Sequence, residues 1–361
     1  MIENRVVNFS AGPSMLPEEV LKKAAEQMLN YEGSGMSVME MSHRSKVYES
    51  IIDATKNRLR KIMEIPENYE ILFIQGGATG QFAGIPLNLL KKGSADYALT
   101  GQFSTKAYEE AKKYGEISVS ASSKDENFTY IPKQSDLKLN ADADYFYYCA
   151  NNTIYGTKWN YVPETGNVPL ICDMSSCILS EKVDVSKFGI IYAGVQKNMG
   201  PAGVAVVIIR KDLISGSKDF SPVILDYKSM ADNDSMYNTP PTYSIYVVGL
   251  VLEWLENLGG IDAMEKINRE KASLLYNYLD NSKMFSGTAK VDDRSLMNIT
   301  FTAKTSELEE KFVKACEQNG FVNIKGHRSV GGMRASIYNA MPTEGIKNLV
   351  AFMEKFEKEN A

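Results

Sequence analysis

Apolar positions along this chain follow two rhythms in turn. From Pro17 to about Asn30, Val20, Leu21, Ala24, Met28 and Leu29 recur at helical spacing, and Gly33 and Gly35 break the pattern. This predicts an amphipathic helix. Ile51, Ile52, Leu59, Ile62 and Met63 predict a second one over 48–63. From Tyr69 the rhythm changes to short continuous apolar runs, at 70–74, 95–99, 117–119, 145–149, 169–172, 189–193 and 204–210, with helical stretches between several of them. Buried runs alternating with helices predict an α/β domain with a largely parallel sheet. In such sheets ligands sit outside the carboxyl ends of the strands.

The character shifts again after a long helical stretch over 242–258, closed by Gly259-Gly260. An amphipathic stretch over 262–279 leads to a strand at 297–301, a helix over 306–319, a strand at 334–337 and a helix over 343–356. That is an α+β unit of about a hundred residues, a size typical of a small domain. The expected organisation is a large domain over 16–258 and a small C-terminal domain over 259–361. Residues 1–15 form an extended entry, with a turn at Gly12-Pro13, expected to pack with the small domain.

Composition narrows the class. The chain has 361 residues, 44% of them hydrophobic, and a formal net charge of −5. The acidic balance argues against a nucleic-acid partner, although clustered arginines can still take anionic small molecules. The four cysteines form no C-x-x-C pair and have no histidine nearby, so reduced thiols and no metal are expected. No apolar stretch follows Met1-Ile2-Glu3-Asn4-Arg5, and the apolar runs fall short of the roughly 20 residues of a membrane helix. A cytoplasmic protein without a membrane partner is the expectation.

Three segments carry candidate chemistry. Lys197 lies in a turn rich in Gly, Pro and Asn between two apolar strands, the runs 189–193 and 204–210. A lysine that forms a Schiff base needs partial desolvation and backbone freedom of this kind. The segment also fits a solvent-facing turn lysine. Asp173 ends the run 169–173, where it would face a ligand crevice and could keep a pyridine nitrogen protonated. A helix N-cap fits the same position. The segment Gly76-Gly77-Ala78-Thr79-Gly80 follows a strand and opens a helix, which suits a phosphate; a tight strand-to-helix turn fits as well.

Each of the two histidines is followed by an arginine, His43-Arg44 and His327-Arg328, and Arg334 comes soon after the second pair. Arginine forks recognise carboxylate and phosphate, so a substrate carrying both would use all five groups. Coincidence among exposed loop residues is the alternative.

Together these segments resemble the phosphoserine aminotransferase family, fold-type I, class V enzymes that use pyridoxal 5′-phosphate. The likeness rests on Asn8-Phe9-Ser10-Ala11-Gly12-Pro13, Met41-Ser42-His43-Arg44-Ser45 and Gly76-Gly77-Ala78-Thr79-Gly80-Gln81-Phe82. It continues through Tyr192-Ala193-Gly194-Val195-Gln196-Lys197-Asn198-Met199-Gly200-Pro201, Met236-Tyr237-Asn238-Thr239-Pro240-Pro241 and Gly331-Gly332-Met333-Arg334-Ala335-Ser336. The resemblance implies a seven-stranded, mainly parallel sheet flanked by helices, with a small α+β domain. It also implies that Lys197 is the Schiff-base lysine and proton shuttle, Asp173 the partner of the pyridine nitrogen and Thr153 that of the ring hydroxyl. Ala78, Thr79 and Gln196 would hold the cofactor phosphate, helped by Asn238 and Thr239 of a second subunit. Arg334 would take the substrate α-carboxylate. His327 and Arg328, with His43 and Arg44 from the other chain, would take the substrate phosphate.

The implied reaction moves an amino group between glutamate and 3-phosphohydroxypyruvate, in a homodimer whose sites are shared. Two departures stand out: Ala78-Thr79 where many relatives have Gly-Arg, and Phe103 where the aromatic stacked on the cofactor ring is usually Trp. The rivals are another class V enzyme, of the alanine–glyoxylate aminotransferase or cysteine desulfurase kind, and a non-catalytic protein that binds phosphorylated metabolites. The first lacks a use for both His-Arg pairs, and the second lacks a use for Lys197 and Asp173.

Overall fold

The computed structural model describes residues 5–360. Met1–Asn4, part of the start read above for its lack of a secretory signal, lies outside the described residues. The chain begins with β1 (Val7–Asn8), α1 (Glu18–Glu26) and α2 (Lys46–Ile62). Strands and helices then alternate through β2 (Tyr69–Gln75), α3 (Thr79–Leu89), β3 (Ser94–Leu99), α4 (Gln102–Ala111), β4 (Glu116–Ser122) and β5 (Tyr145–Cys149). A short ribbon, β6 (Asn151–Asn152) and β7 (Thr157–Lys158), precedes β8 (Leu170–Asp173), β9 (Ile190–Gly194) and β10 (Val204–Arg210). Helices α5 (Tyr227–Asp232), α6 (Thr242–Asn257) and α7 (Gly260–Asn281) lead to β11 (Phe285–Gly287), β12 (Asn298–Ala303) and α8 (Ser306–Gln318). The chain closes with β13 (Phe321–Val322), β14 (Met333–Ser336) and α9 (Thr343–Asn360).

The central sheet has seven strands in the order β2-β10-β9-β8-β5-β3-β4. Strands β4, β3, β5, β8 and β9 are mutually parallel. β10 runs antiparallel to both β9 and β2, so β2 points the same way as the parallel set. The carboxyl ends of β2, β3, β5, β8 and β9 therefore share one edge of the sheet, where a ligand crevice is expected. The central strands are apolar on both faces because both are covered, whereas the edge strand β4 is largely polar and exposed. Ile71, Phe73, Ile191 and Val206 pack with α2 and α6 on one side. Leu72, Ile74, Ile190 and Val207 pack with residues of α3, α4 and α5 on the other.

A further apolar cluster joins α7, β12, α8, β14 and α9 to Val7, Phe9 and Met15. There β11, β12 and β14 form a three-stranded antiparallel sheet, and β1 pairs in parallel with β13. One element differs from its sequence pattern. The first helix stops at Glu26 rather than near Asn30, and Leu29 is 84% exposed. Val20 and Ala24 of that helix are buried, whereas Met28 beyond it is half-buried and Leu29 exposed, so little packing carries the helix past Glu26. Among the described residues, no single helix is long and apolar enough to cross a membrane.

Candidate active site

The turn after β9 is fixed on both sides. Val195 N–H donates to the Val204 carbonyl (3.1 Å), and the N–H groups of Met199 and Gly200 donate back to Val195 (3.0 and 2.9 Å). From the opposite side Ser14 N–H donates to the Gln196 carbonyl (3.0 Å), and the Ser14 hydroxyl donates to the Lys197 carbonyl. Gly12 has φ +137°, and a Cβ there would lie 3.2 Å from Lys197 Cγ. Both the backbone and the close approach therefore call for glycine. The N-terminal segment thus clasps the lysine turn.

Lys197 Nζ donates to Thr153 Oγ1 at 3.1 Å and lies 5.3 Å from the centre of the Phe103 ring. Burial lowers its pKa; the charges of Asp173 and Cys149 pull it up, and Arg334 pushes it further down. An amine so placed loses its proton more readily than a surface lysine. The sequence also fitted a solvent-facing turn lysine, but Lys197 instead lines a cavity of about 330 Å³.

Asp173 closes β8 and is 4% exposed. Its Oδ1 accepts from Ser175 N–H (2.8 Å), and its Oδ2 accepts from the Tyr192 hydroxyl (3.1 Å). The helix-cap alternative fails here because the chain after Asp173 is a turn, not a helix. The Ser175 bond is the side-chain-to-backbone contact that such a turn makes.

The glycine segment after β2 lies on the same edge. Gly76, at φ +92°, turns the chain away from the sheet, and its N–H donates to the Gly203 carbonyl (3.0 Å). Gly77, Ala78 and Thr79 then line the cavity at the start of α3. The first turn of a helix leaves N–H groups without partners inside the helix, and its dipole favours an anion.

Arg334, on β14, enters from the C-terminal unit. Its Nη1 donates weakly to the Thr153 carbonyl (3.4 Å), while its Nε is buried without a partner among the described residues. His327 also lines the cavity and shares a 2.7 Å hydrogen bond between its Nδ1 and Ser329 Oγ. Burial lowers the His327 pKa, and the charges of Arg334, Arg328 and Lys106 lower it further.

One cavity thus gathers Ala78, Thr79, Phe103, Thr153, Asp173, Gln196, Lys197, His327 and Arg334. Arg328, His43, Arg44, Asn238 and Thr239 are not among its walls. Arg44, Arg328, Asn238 and Thr239 are exposed, and His43 Nε2 is buried with no partner among the described residues. The walls also include Cys149, Asn151, Ser175 and Ser176, to which the sequence reading gave no role. Ser175 could have been found from its position just after a strand-end aspartate, where turn hydrogen bonds form.

The chain belongs to the family described as Aminotransferase class-V, whose profile matches residues 6–349. Within that class it is 54% identical over 357 residues to the phosphoserine aminotransferase of Bacillus cereus, covering 99% of each chain. Its fold is similar to that of the phosphoserine aminotransferase of Bacillus circulans subsp. alkalophilus, with a TM-score of 0.98 at 48% identity over 99% of this chain and 100% of that one. The PLP-bound phosphoserine aminotransferase of Trichomonas vaginalis gives a TM-score of 0.93 at 41% identity, over 97% of this chain and 100% of that one.

Proposed function

We propose that this chain is a pyridoxal-phosphate-dependent transaminase that exchanges an amino group between glutamate and 3-phosphohydroxypyruvate, giving O-phosphoserine and 2-oxoglutarate. The observation that carries this reading is the convergence, in one cavity, of the Lys197 amine, the Asp173 carboxylate and the buried, unpaired Nε of Arg334. The donor set suits the cofactor. Asp173 faces where a ring nitrogen would sit, the start of α3 suits a phosphate, and Phe103 offers an aromatic face. Bound there, pyridoxal phosphate supplies a carbonyl that takes amines and a ring that stores the electron pair released at the substrate's α-carbon.

The protein's own groups do the rest. Lys197, with its lowered pKa, anchors the cofactor and carries the proton to and from the α-carbon. Asp173 balances the positive ring nitrogen, and Thr153 holds the ring hydroxyl. Ala78, Thr79 and Gln196 take the cofactor phosphate. Arg334 binds the α-carboxylate common to both substrates, and its free Nε gives that carboxylate a donor. His327 and Arg328 take the substrate phosphate. His43, Arg44, Asn238 and Thr239 act across a homodimer interface, which fits their position outside this chain's own cavity.

The test is a half-reaction followed by the absorbance of the bound cofactor. Phosphoserine and glutamate should each convert the holoenzyme, and serine should be poorer by about 10⁴-fold, because it leaves the phosphate donors unpaired. Equal conversion by serine and phosphoserine would remove the phosphate part of the reading. A cofactor band that no amino acid changes would leave only a binding protein.

A further inference from the structure

Behind Asp173 lies a pair of phenols that the mechanism above does not use. Tyr192, on β9, is paired in register with Asp173 on β8. Its hydroxyl donates to Asp173 Oδ2 at 3.1 Å and lies 2.8 Å from the hydroxyl of Tyr147, on β5. Both tyrosines have no exposed surface. Each phenol has one proton to donate, so if Tyr192 donates to the carboxylate, Tyr147 donates to Tyr192. Burial, followed by the nearby Asp173 charge, pushes the Tyr192 pKa well above its ordinary value, which keeps the phenol a neutral donor.

A buried phenol needs a partner for its hydroxyl, and a backbone carbonyl within the sheet would serve. This one is aimed instead at Asp173, the one carboxylate that lines the cavity among the described residues. Asp173 Oδ1 is held by the Ser175 backbone, and among the described residues Tyr192 is the only side chain that donates to the carboxylate.

We propose that Tyr192 is a positioning residue for the cofactor, holding the Asp173 carboxylate aimed at the cofactor's ring nitrogen, with Tyr147 orienting the Tyr192 hydroxyl from behind. This rests on the cofactor reading given above. The titratable groups facing Asp173 are Tyr147 and Cys149 on β5, Cys172 on β8, Cys177 in the following turn, Tyr192 on β9 and Lys197 beyond it. Of these only Tyr192 makes a hydrogen bond to the carboxylate. Without that bond the carboxylate is freer to rotate, and with one donor fewer it competes harder for the ring proton.

The test uses holoenzyme reconstituted with pyridoxal phosphate. Tyr192→Phe should bind the cofactor about tenfold more weakly, the loss expected of a hydrogen bond to a charged group. The pH at which its visible absorbance band titrates should move upward, because less positive charge on the ring favours protonation elsewhere on the conjugated system. Tyr147→Phe should move both readouts the same way by less. The double variant Tyr147→Phe/Tyr192→Phe leaves no orphaned phenol; it should keep the thermal midpoint of the apo-protein and still show the full Tyr192 effect.

If wild-type protein binds no pyridoxal phosphate, the cofactor reading fails. If wild type binds it and Tyr192→Phe shows wild-type affinity and an unmoved titration, the positioning role is refuted. A double variant that folds as wild type yet shows neither shift refutes it too.

Discussion

Lys197 works under opposed influences. Desolvation lowers its pKa, Asp173 raises it, and Arg334 lowers it again, so the amine gives up its proton more readily than a surface lysine. The Thr153 hydrogen bond and the Phe103 face hold it pointing into the cavity. Borohydride reduction of the cofactor-loaded protein should therefore attach the cofactor to Lys197, as peptide mapping would report. Lys197→Ala should retain the cofactor noncovalently and lose nearly all turnover. A label on any other lysine would reassign the role.

At this scale the placement of Lys197 in a Gly- and Pro-rich turn between two buried strands was legible, but its own segment fitted a solvent-facing lysine equally well until the cavity was seen. Tyr192 was not legible, because a tyrosine inside an apolar run reads as core until the strands are aligned and its hydroxyl is seen to face Asp173. Thr153 was reached through the family likeness alone, since nothing in its own segment marks it out.

Among the elements, the strand ends and the long helix α7 decide how the two parts of the site meet. β2, β3, β5, β8 and β9 deliver the loops that line the cavity, whereas Arg334 arrives on β14. Lys271 on α7 ties that second group down. It is fully buried, and its Nζ donates to the carbonyls of Ile337, Tyr338 and Met341, just after β14, at 3.0, 2.8 and 3.1 Å. Burial pushes its pKa down to about 7. The three acceptors oppose that push, because only the ammonium form offers three donors.

Lys271→Met keeps much of the volume but leaves those carbonyls short of a donor. It should destabilise the protein by about 3 kcal/mol, measured by denaturant unfolding. A loss below about 1 kcal/mol would show that water or neighbouring N–H groups replace it. The amphipathic pattern over 262–279 predicted α7, yet it could not pick out Lys271, because helical spacing does not say which polar residue is buried. Pattern also overran the end of α1, where Met28 and Leu29 keep helical spacing after the helix has lost its packing surface.

For the whole molecule, the alternation of buried runs and helices made the covered, mainly parallel sheet legible. The reversal of β10 was not, since a strand buried on both faces reads alike in either direction. Nor does this chain's own cavity gather every residue that the family likeness implies. His43 and Arg44 resemble substrate-binding groups yet are absent from this chain's cavity wall, as are Asn238 and Thr239. Exposed apolar residues lie near both segments: Met36 (42%) and Met39 (56%) before His43, and Tyr237 (46%) beside Asn238. Each segment thus offers apolar surface that a second chain can bury. We propose that a second copy covers it and supplies these residues to the first copy's cavity.

Arg44→Ala and Lys197→Ala should each be inactive alone. In a heterodimer, the Arg44→Ala subunit keeps its own Lys197 and receives an intact Arg44 from its partner, so that site is complete, whereas the other site lacks both groups. With random exchange half the dimers are mixed and each has one complete site, so activity should recover to about a quarter of wild type. If Arg44 instead serves its own chain, every site lacks either Arg44 or Lys197. Mixing would then restore nothing, even where native mass spectrometry shows the heterodimer has formed.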